Sequence, residues 1–307
     1  MKQTSGPGAA LDNVDMRLIR VFRAVVDCGG MSAAEIDLNI GRSTISRHVK
    51  ELESRLGCTL CHRGRSGFSL TPEGEHIYAA AQRLLGAVDQ FQAEVNDTQT
   101  SMTGQFSLAL FDKTVTNPTA HIHDAVAAFR ELASDVSINV HVEPVNEIEQ
   151  GVIEGRYQLG ITPTNRTSSS LHSVPLFDEQ MYLYCGRGHP LYETAGRAQR
   201  EEILVYDYAG MGFPSPNMDV GRSLGLKRSA TAFDQEAIVT LIRSDHFVGF
   251  LPDHYASAFE QLGQIRRLGG DEFQYRCEFS AVYRRSPKPS RILATFLALL
   301  VDAHPDK

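Results

Sequence analysis

The spacing of apolar residues changes character near residue 104 of this 307-residue chain. Before that point apolar residues recur every three or four positions, as they do on one face of an α-helix. After it, short apolar runs of strand length alternate with helical segments. The pattern predicts a helical N-terminal region followed by a larger α/β region.

The region from Ser32 to Leu56 predicts two helices joined by a tight turn. Ser32 is a suitable cap for a short helix that ends at Asn39-Ile40-Gly41. The second helix is predicted from Arg42 to Leu56. Its large apolar residues form one stripe that faces a core: Ile45, Val49, Leu52 and Leu56.

The other faces of this second helix carry hydroxyl and cationic side chains. Such groups near a helix start reach base edges and phosphates in the major groove of DNA, although an ordinary solvated face has the same composition. The next residues predict a strand, a basic turn and a returning strand, which together form a wing. We expect the following residues to bind DNA: Ser32, Arg42, Ser43, Thr44, Ser46, Arg47, Lys50, Arg63 and Arg65.

Charge supports DNA as the partner of this region. Between Arg42 and Arg65 there are six Lys and Arg residues against two Glu, although the whole chain has a formal net charge of −7. A basic patch on an acidic chain is the electrostatic signature of phosphate contacts.

Two further helices flank this region. One is predicted from Asp15 to Cys28, and a long one begins at Thr71-Pro72-Glu73, where Pro and an acidic residue suit a helix start. The long helix has apolar residues spaced by four and three over about three heptads, which predicts pairing with a second copy of the chain, or else packing against its own body. These seam residues are Ile77, Ala81, Leu84, Val88, Phe91 and Val95.

The α/β region is predicted to have strands and helices in alternation. Expected strands cover residues 106–111, 137–143, 159–161, 180–185, 203–206, 247–251 and 279–283. Expected helices cover residues 116–132, 234–244 and 291–301, and one more follows Asn146, which is expected to cap it. This order predicts a largely parallel sheet with helices on both faces.

Composition narrows the class of protein. Hydrophobic content of 42% and charged content of 22% are ordinary for a globular protein. No apolar run is long enough to cross a membrane and the first ten residues lack the apolar core of a signal peptide, so we expect a cytoplasmic protein. Five cysteines argue against a disulfide scaffold. Cys58 and Cys61 fit a C-x-x-C-H pattern of haem, redox or zinc sites, but small apolar core residues are favoured.

The N-terminal motif resembles a known family. The run S-A-A-E-I-D-L-N-I-G-R-S-T-I-S-R-H-V-K-E-L-E-S-R-L-G, then L-C-H-R-G-R and L-T-P-E-G, is similar to the winged helix-turn-helix of LysR-type transcriptional regulators. Three residues depart from the family pattern. Glu35 stands where a small Ala is usual, Gly41 replaces a Ser or Thr cap, and Arg42 replaces a frequent Gln.

The resemblance implies an α+β multi-domain fold. It consists of a winged helix-turn-helix, a linker helix, and a two-lobed α/β effector-binding region similar to a periplasmic binding protein. The chain is expected to cross between the lobes near Asp178 and Tyr275. The expected domains are a flexible tail at 1–14, the DNA-binding domain at 15–71, the linker at 72–103, lobe I at 104–178 plus 275–307, and lobe II at 179–274.

The implied function is DNA-binding regulation by a homodimer or homotetramer whose operator binding changes when a small molecule enters the cleft between the lobes. An enzyme, a solute-binding protein and an architectural DNA-binding protein are the alternatives. The motifs of common enzyme classes are absent from the sequence, and the last two alternatives leave one region without a role. We expect no metal and no cofactor.

The effector site is expected beyond the carboxyl ends of the strands. The stretch from Asp112 to Asn117 offers hydroxyls, a cation and the N–H groups of a helix start, a combination that suits a small anion. The expected effector-binding residues are Lys113, Thr114, Thr116, Asn117, Asn146, Thr162, Thr164, Phe213, Ser215 and Phe233.

Overall fold

The computed structural model describes residues 11–64, 67–96, 102–164 and 168–305. The chain divides into two compact units, Met1–Gln92 and Ala93–Lys307, here called unit 1 and unit 2. Within the described ranges, no helix combines the length and apolar character that a membrane crossing needs.

Unit 1 has the predicted winged helix-turn-helix order. Its elements are α1 (Asn13–Asp27), α2 (Ala34–Leu38), α3 (Arg42–Leu56), β1 (Cys61–Gly64), β2 (Gly67–Leu70) and α4 (Pro72–Asn96). β1 and β2 form an antiparallel hairpin. The apolar stripe of α3 is buried at Ile45, Val49 and Leu52, together with Leu18 and Phe22 of α1.

Helix caps in unit 1 agree only in part with the sequence prediction. The long helix α4 starts at the predicted Thr71-Pro72, and Thr71 caps it, since its hydroxyl accepts a hydrogen bond from the Gly74 N–H at 2.9 Å. Ser32 does not cap α2: the N-cap is Ala33, and no side chain bonds to that helix end. The predicted role of Ser32 as a cap is therefore wrong, because the helix begins two residues after it.

The long helix α4 uses its apolar seam in two ways. Ala81 is buried in the core of unit 1 together with Leu85, a residue outside the predicted seam. Phe91 and Val95, further along the helix, remain 66% and 45% exposed. The first part of the seam thus packs within its own unit, whereas the last part presents apolar surface.

Unit 2 is built on one continuous mixed sheet. Its strands are β3 (Gly104–Leu110), β4 (Val136–Val142), β5 (Leu159–Pro163), β6 (Leu171–Gly186), β7 (Asp207–Met211), β8 (Lys227–Ala232), β9 (Phe247–Pro252), β10 (Ile265–Arg267) and β11 (Gln274–Arg284). The order is β4-β3-β5-β11-β6-β9-β7-β8, and β10 pairs with β6. The pairs β3–β4, β3–β5, β7–β8 and β7–β9 are parallel, as the alternation of strands and helices predicted. The described pairs of β6 and β11 are all antiparallel, so the prediction of a largely parallel sheet is wrong.

The antiparallel strands β6 and β11 join the two halves of this sheet. They pair with each other over most of their length, while β11 also pairs with β5 and β6 also pairs with β9. Both halves are therefore tied to the same central pair. The helices of unit 2 are α5 (Ile122–Leu132), α6 (Val145–Glu154), α7 (Arg200–Ile203), α8 (Pro216–Leu224), α9 (Gln235–Ile242), α10 (Asp253–Gln261) and α11 (Arg291–Asp302).

Three predicted elements of unit 2 are corrected. The helix expected from residue 116 begins at Ile122, after a 3-10 turn at Thr114–Thr116. The segment 203–206, expected as a strand, ends α7 and leads into β7. Asn146 does not cap α6, because Pro144 is the N-cap and the Asn146 amide donates to Glu147 Oε1 instead.

Candidate DNA-binding surface and effector cleft

The face of α3 opposite its buried stripe is open to solvent. Arg42, Ser43, Arg47 and Lys50 are exposed, and Thr44 and Ser46 are half-buried beside them. Ser32 is exposed in the segment before α2. The side chain of Arg63 and the whole of Arg65 lie outside the described residues.

Not every cation of the predicted basic patch is available to DNA. Arg55 forms ion pairs with Asp15 at 2.8 Å and Asp12 at 3.2 Å, which fasten the end of α3 to the start of α1. Within the described ranges no ion pair holds Arg42, Arg47 or Lys50. The patch therefore concentrates at the first half of α3.

His48 and the cysteines Cys58 and Cys61 are the residues of unit 1 that could suggest a charged or metal-binding site. Burial lowers the pKa of His48 on α3, and the nearby charges of Arg17 and Arg47 lower it further, so its ring is neutral at pH 7. Cys58 and Cys61 are free thiols that pack in or against the apolar core. No group of His, Cys, Asp and Glu residues in the described part of the chain is arranged to hold a metal ion.

A cavity of about 220 Å³ lies at the carboxyl ends of strands in unit 2. It is lined by residues that follow β3, β4 and β8, the edge at which α/β proteins bind ligands. These residues are Phe111, Asp112, Lys113, Val142, Glu143, Pro144, Phe233, Asp234 and Glu236. Of the expected effector-binding residues, Lys113 and Phe233 are in this set.

Asp112 is a half-buried residue of the cavity lining, and its carboxyl group has little access to solvent. Its Oδ2 accepts a hydrogen bond from the Gln235 N–H at 2.8 Å, whereas its Oδ1 has no partner in the described part of the chain. Burial raises the pKa of Asp112 to about 6. Lys113, the next residue, pairs with Glu236 at 2.9 Å, and this contact raises the pKa of Lys113.

A chain of polar groups runs from the exposed Thr116 to the buried side chains of His254 and Glu179. The Thr116 hydroxyl donates to the Lys113 carbonyl at 2.9 Å and lies 2.7 Å from His254 Nδ1. Because a hydroxyl has one proton, its oxygen accepts from Nδ1–H. His254 Nε2 lies 3.1 Å from Glu179 Oε1, and burial raises the pKa of Glu179. One proton therefore lies between Nε2 and Oε1.

The sequence did not indicate Glu179 or His254, because they lie 63 and 138 residues from Thr116 and neither belongs to a local motif. They come together because β6, which carries Glu179, lies beside the start of α10, which carries His254. Such contacts are specified by the tertiary fold and not by any short pattern.

The remaining expected effector residues have structural partners or lie away from the cavity. Asn117 donates to the Asp178 carbonyl and accepts from Thr119, and Ser215 accepts from the Met218 N–H as the cap of α8. The Thr164 hydroxyl lies 2.6 Å from Ser280 Oγ. Buried side chains complete the set: Thr114, Thr162 and Phe213. Asn146 is exposed in the first turn of α6 and is not among the residues that line the cavity.

The chain is similar in sequence to known regulators. Residues 16–75 match the bacterial regulatory helix-turn-helix protein, lysR family, and residues 100–305 match the LysR substrate binding domain. The HTH-type transcriptional activator BauR of Pseudomonas aeruginosa is 39% identical over 288 residues, which cover 94% of each chain. The probable regulator LrrA of Synechococcus elongatus is 31% identical over 193 residues, covering 62% of this chain and 65% of LrrA.

The fold is similar to that of solved regulators. CbnR, a LysR family transcriptional regulator, has a TM-score of 0.64 at 19% identity, covering 94% of this chain and 99% of that chain. Full-length CbnR complexed with its target DNA has a TM-score of 0.62 with the same identity and coverage. The two family matches span both units, and the chain belongs to the LysR family of DNA-binding transcriptional regulators.

Proposed function

We propose that unit 1 reads operator DNA through the exposed face of α3. The observation that carries this proposal is the separation of faces. Ile45, Val49 and Leu52 are buried, whereas the cations and Ser43 on the other side of α3 are exposed. The proposed DNA-binding residues on this surface are Arg42, Ser43, Thr44, Ser46, Arg47 and Lys50. Ser32 and the wing residues Arg63 and Arg65 complete the proposed interface.

Arg47→Ala tests this proposal. Loss of a bidentate arginine contact with a base costs roughly 1–3 kcal/mol, so we expect operator affinity to fall about 5- to 150-fold. The matched control is Arg222→Ala, which removes an exposed arginine from α8 of unit 2. Affinity for operator and random DNA is measured by fluorescence anisotropy. Equal operator affinity of Arg47→Ala and the parent contradicts the assignment.

We infer that the effector binds at the cavity beside Asp112 and Lys113. The family's substrate binding domain covers this region, and the cavity lies where open α/β units bind ligands. Lys113 also has a left-handed backbone with φ of 62°, a strained conformation that is frequent at functional sites. Thr116 is proposed to act through Lys113, because its hydroxyl donates a hydrogen bond to the Lys113 carbonyl.

Two classes of effector fit the charges of the cavity. An anion, as the sequence suggested, would take the place of Glu236 on Lys113. A molecule with a cationic group is favoured by the carboxylates of Asp112, Glu143, Asp234 and Glu236, which outnumber the single lysine of the lining.

Glu236→Gln distinguishes the two classes. This change releases Lys113 and removes a carboxylate, so it should strengthen binding of an anion and weaken binding of a cation. The assay is a thermal-shift screen of small metabolites of both charges with the full chain, because a ligand that binds only the folded state raises the melting temperature. A metabolite that stabilises the parent and Glu236→Gln equally would place the site elsewhere.

The full assembly is proposed to be a cytoplasmic homodimer or homotetramer joined through α4. The exposed apolar end of α4, at Phe91 and Val95, supports self-association by this helix. Pairing of two DNA-binding units would allow simultaneous contact with two half-sites. The proposed division places the linker at 72–103, lobe I at 104–178 plus 275–307 and lobe II at 179–274.

A further inference from the structure

Glu35 of α2 bonds to the start of the recognition helix α3. Its Oε1 accepts a hydrogen bond from the Arg42 backbone N–H at 2.5 Å. The bond spans the tight turn, where Asn39 has a left-handed backbone and ends α2. It therefore links the two helices of the motif directly at the point where α3 begins.

This end of α3 has no cap of its own. The N-cap residue is Gly41, which has no side chain to accept a bond from the first turn. The first turn, described throughout, has no acidic residue either. The first N–H groups of a helix lack partners within the helix, and a carboxylate near them is favoured by the positive end of the helix dipole. Glu35 supplies such a carboxylate from outside.

We propose that Glu35 is a positioning residue for DNA reading, which caps α3 from α2 in place of the side chain that Gly41 lacks. The two departures from the family pattern, at positions 35 and 41, then belong together. The acid is needed because the glycine is present, and the glycine is tolerated because the acid is present.

The cap has a consequence for DNA recognition. Arg42 is held through its backbone, and the exposed residues Ser43 and Arg47 follow on the first two turns, so their directions depend on how well this helix end is ordered. The carboxylate also puts negative charge at a helix start, a place that otherwise attracts phosphate. Glu35 should thus raise the ratio of operator affinity to random-DNA affinity.

Five variants of the full-length protein separate the cap from the charge, one of them being Gly41→Ser alone. Glu35→Ala removes both the acceptor and the charge. Asp37→Ala, the matched control, removes an exposed acid from the same helix, at a residue that makes no bond to α3 within the described ranges. Glu35→Gln retains an acceptor oxygen without the charge. The double variant Glu35→Ala with Gly41→Ser supplies a conventional hydroxyl cap.

The measured quantity is the ratio of operator to random-DNA affinity at two salt concentrations. Loss of an N-cap typically changes an equilibrium constant about fivefold, so we expect the ratio to fall by about that factor in Glu35→Ala. Asp37→Ala should raise affinity for both DNAs and keep the ratio. Glu35→Gln should retain most of the ratio, and Gly41→Ser should restore it in the double variant while having little effect alone.

Non-additivity is the decisive result, since a residue that acts only through surface charge would not be rescued by a hydroxyl at position 41. The proposal is overturned if Glu35→Ala behaves as Asp37→Ala does, or if Gly41→Ser fails to restore the ratio. If Glu35→Ala does not fold, Glu35→Gln decides alone, and a ratio reduced fivefold or more in that variant also overturns the cap.

Discussion

Polar residues at the proposed effector site are bonded to partners far away in the sequence. Asp112 bonds to Gln235, Lys113 to Glu236, and Thr116 to His254. The loop after the first strand of the α/β region could be predicted as a site from its position and polar content. Its partners could not, because each lies more than 100 residues away and is brought close only by the pairing of central strands.

The buried carboxyl group of Asp112 should make stability depend on pH. Burial raises the pKa of Asp112 from 3.8 to about 6, so the folded state binds its proton more tightly than the unfolded state does. The contribution of Asp112 to the free energy of unfolding therefore decreases as pH rises from about 4 to above 6, by up to roughly 3 kcal/mol. Asp112→Asn retains an oxygen that can accept from the Gln235 N–H but does not ionise.

We expect Asp112→Asn to melt at a higher temperature than the parent at pH 8 and at a similar temperature at pH 4. The measurement is thermal unfolding across that range. Asp219→Asn, at an exposed acid of α8, is the control and should follow the parent. A parent and an Asp112→Asn variant with the same pH dependence would show that Asp112 does not titrate as its burial indicates.

The Thr116 hydroxyl should be needed for the effector response. Thr116→Val preserves the shape of the side chain but removes the oxygen that lies 2.7 Å from His254 Nδ1. We expect effector affinity to fall by about tenfold, because the same hydroxyl donates to the carbonyl of Lys113 and so holds a residue of the cavity lining, while operator binding without effector is unchanged. Thr164→Val tests the other expected hydroxyl.

Calorimetry with the identified effector and anisotropy with the operator measure the two properties. Thr240→Val, on the exposed side of α9, is the control for a lost hydroxyl. Unchanged effector affinity in both Thr116→Val and Thr164→Val would remove this cleft from consideration.

At the scale of elements, sequence periodicity placed most helices and strands but not all their ends. The helix expected from residue 116 starts later because the Asn117 side chain accepts from both the N–H and the hydroxyl of Thr119, which stabilises a non-helical turn. Asn and Ser residues compete with helical hydrogen bonds in this way. The segment 203–206 is rich in apolar and aromatic residues, which favours a strand. In the structure its first residue, Ile203, is buried as the last residue of the short helix α7 instead.

The exposed end of α4 gives the sharpest test of self-association. Phe91 is 66% exposed, so Phe91→Glu should separate the protomers without destabilising unit 1. Leu84→Glu should also separate them, but Leu84 packs against the core of unit 1, so that variant should lose stability as well. Operator affinity should decrease in both because each protomer then contacts one half-site.

Sedimentation velocity and thermal unfolding measure these two effects. Arg83→Glu, at an exposed position of α4 outside the seam, is the control and should leave the assembly intact. If Phe91→Glu sediments as the parent does, α4 does not join the protomers through this surface.

At the scale of the whole molecule, the amino-acid sequence predicted the order of the domains more securely than the pairing of strands within unit 2. Parallel pairing around β3 and β7 follows from the alternation of strands and helices. The long strands β6 and β11 do not follow from it, because their antiparallel pairing joins residues that lie far apart in the sequence. The strand prediction at 180–185 missed the first nine residues of β6, Leu171 to Glu179, and its last residue, Gly186.

The wing provides the last prediction, which concerns the charge balance of the whole chain. An acidic protein with a formal net charge of −7 must bind DNA through a local group of cations. Each phosphate contact contributes about 0.9 to the slope of log affinity against log salt, so Arg63→Ala with Arg65→Ala should reduce that slope by up to about 2 per protomer. Affinity for operator and random DNA should fall together, unlike the operator-selective loss expected for Arg47→Ala. Anisotropy at four salt concentrations gives the slopes, and Arg222→Ala should retain the parent's value. A wing variant with the parent's slope would show that these arginines do not contact phosphate, and the basic patch would then be confined to α3.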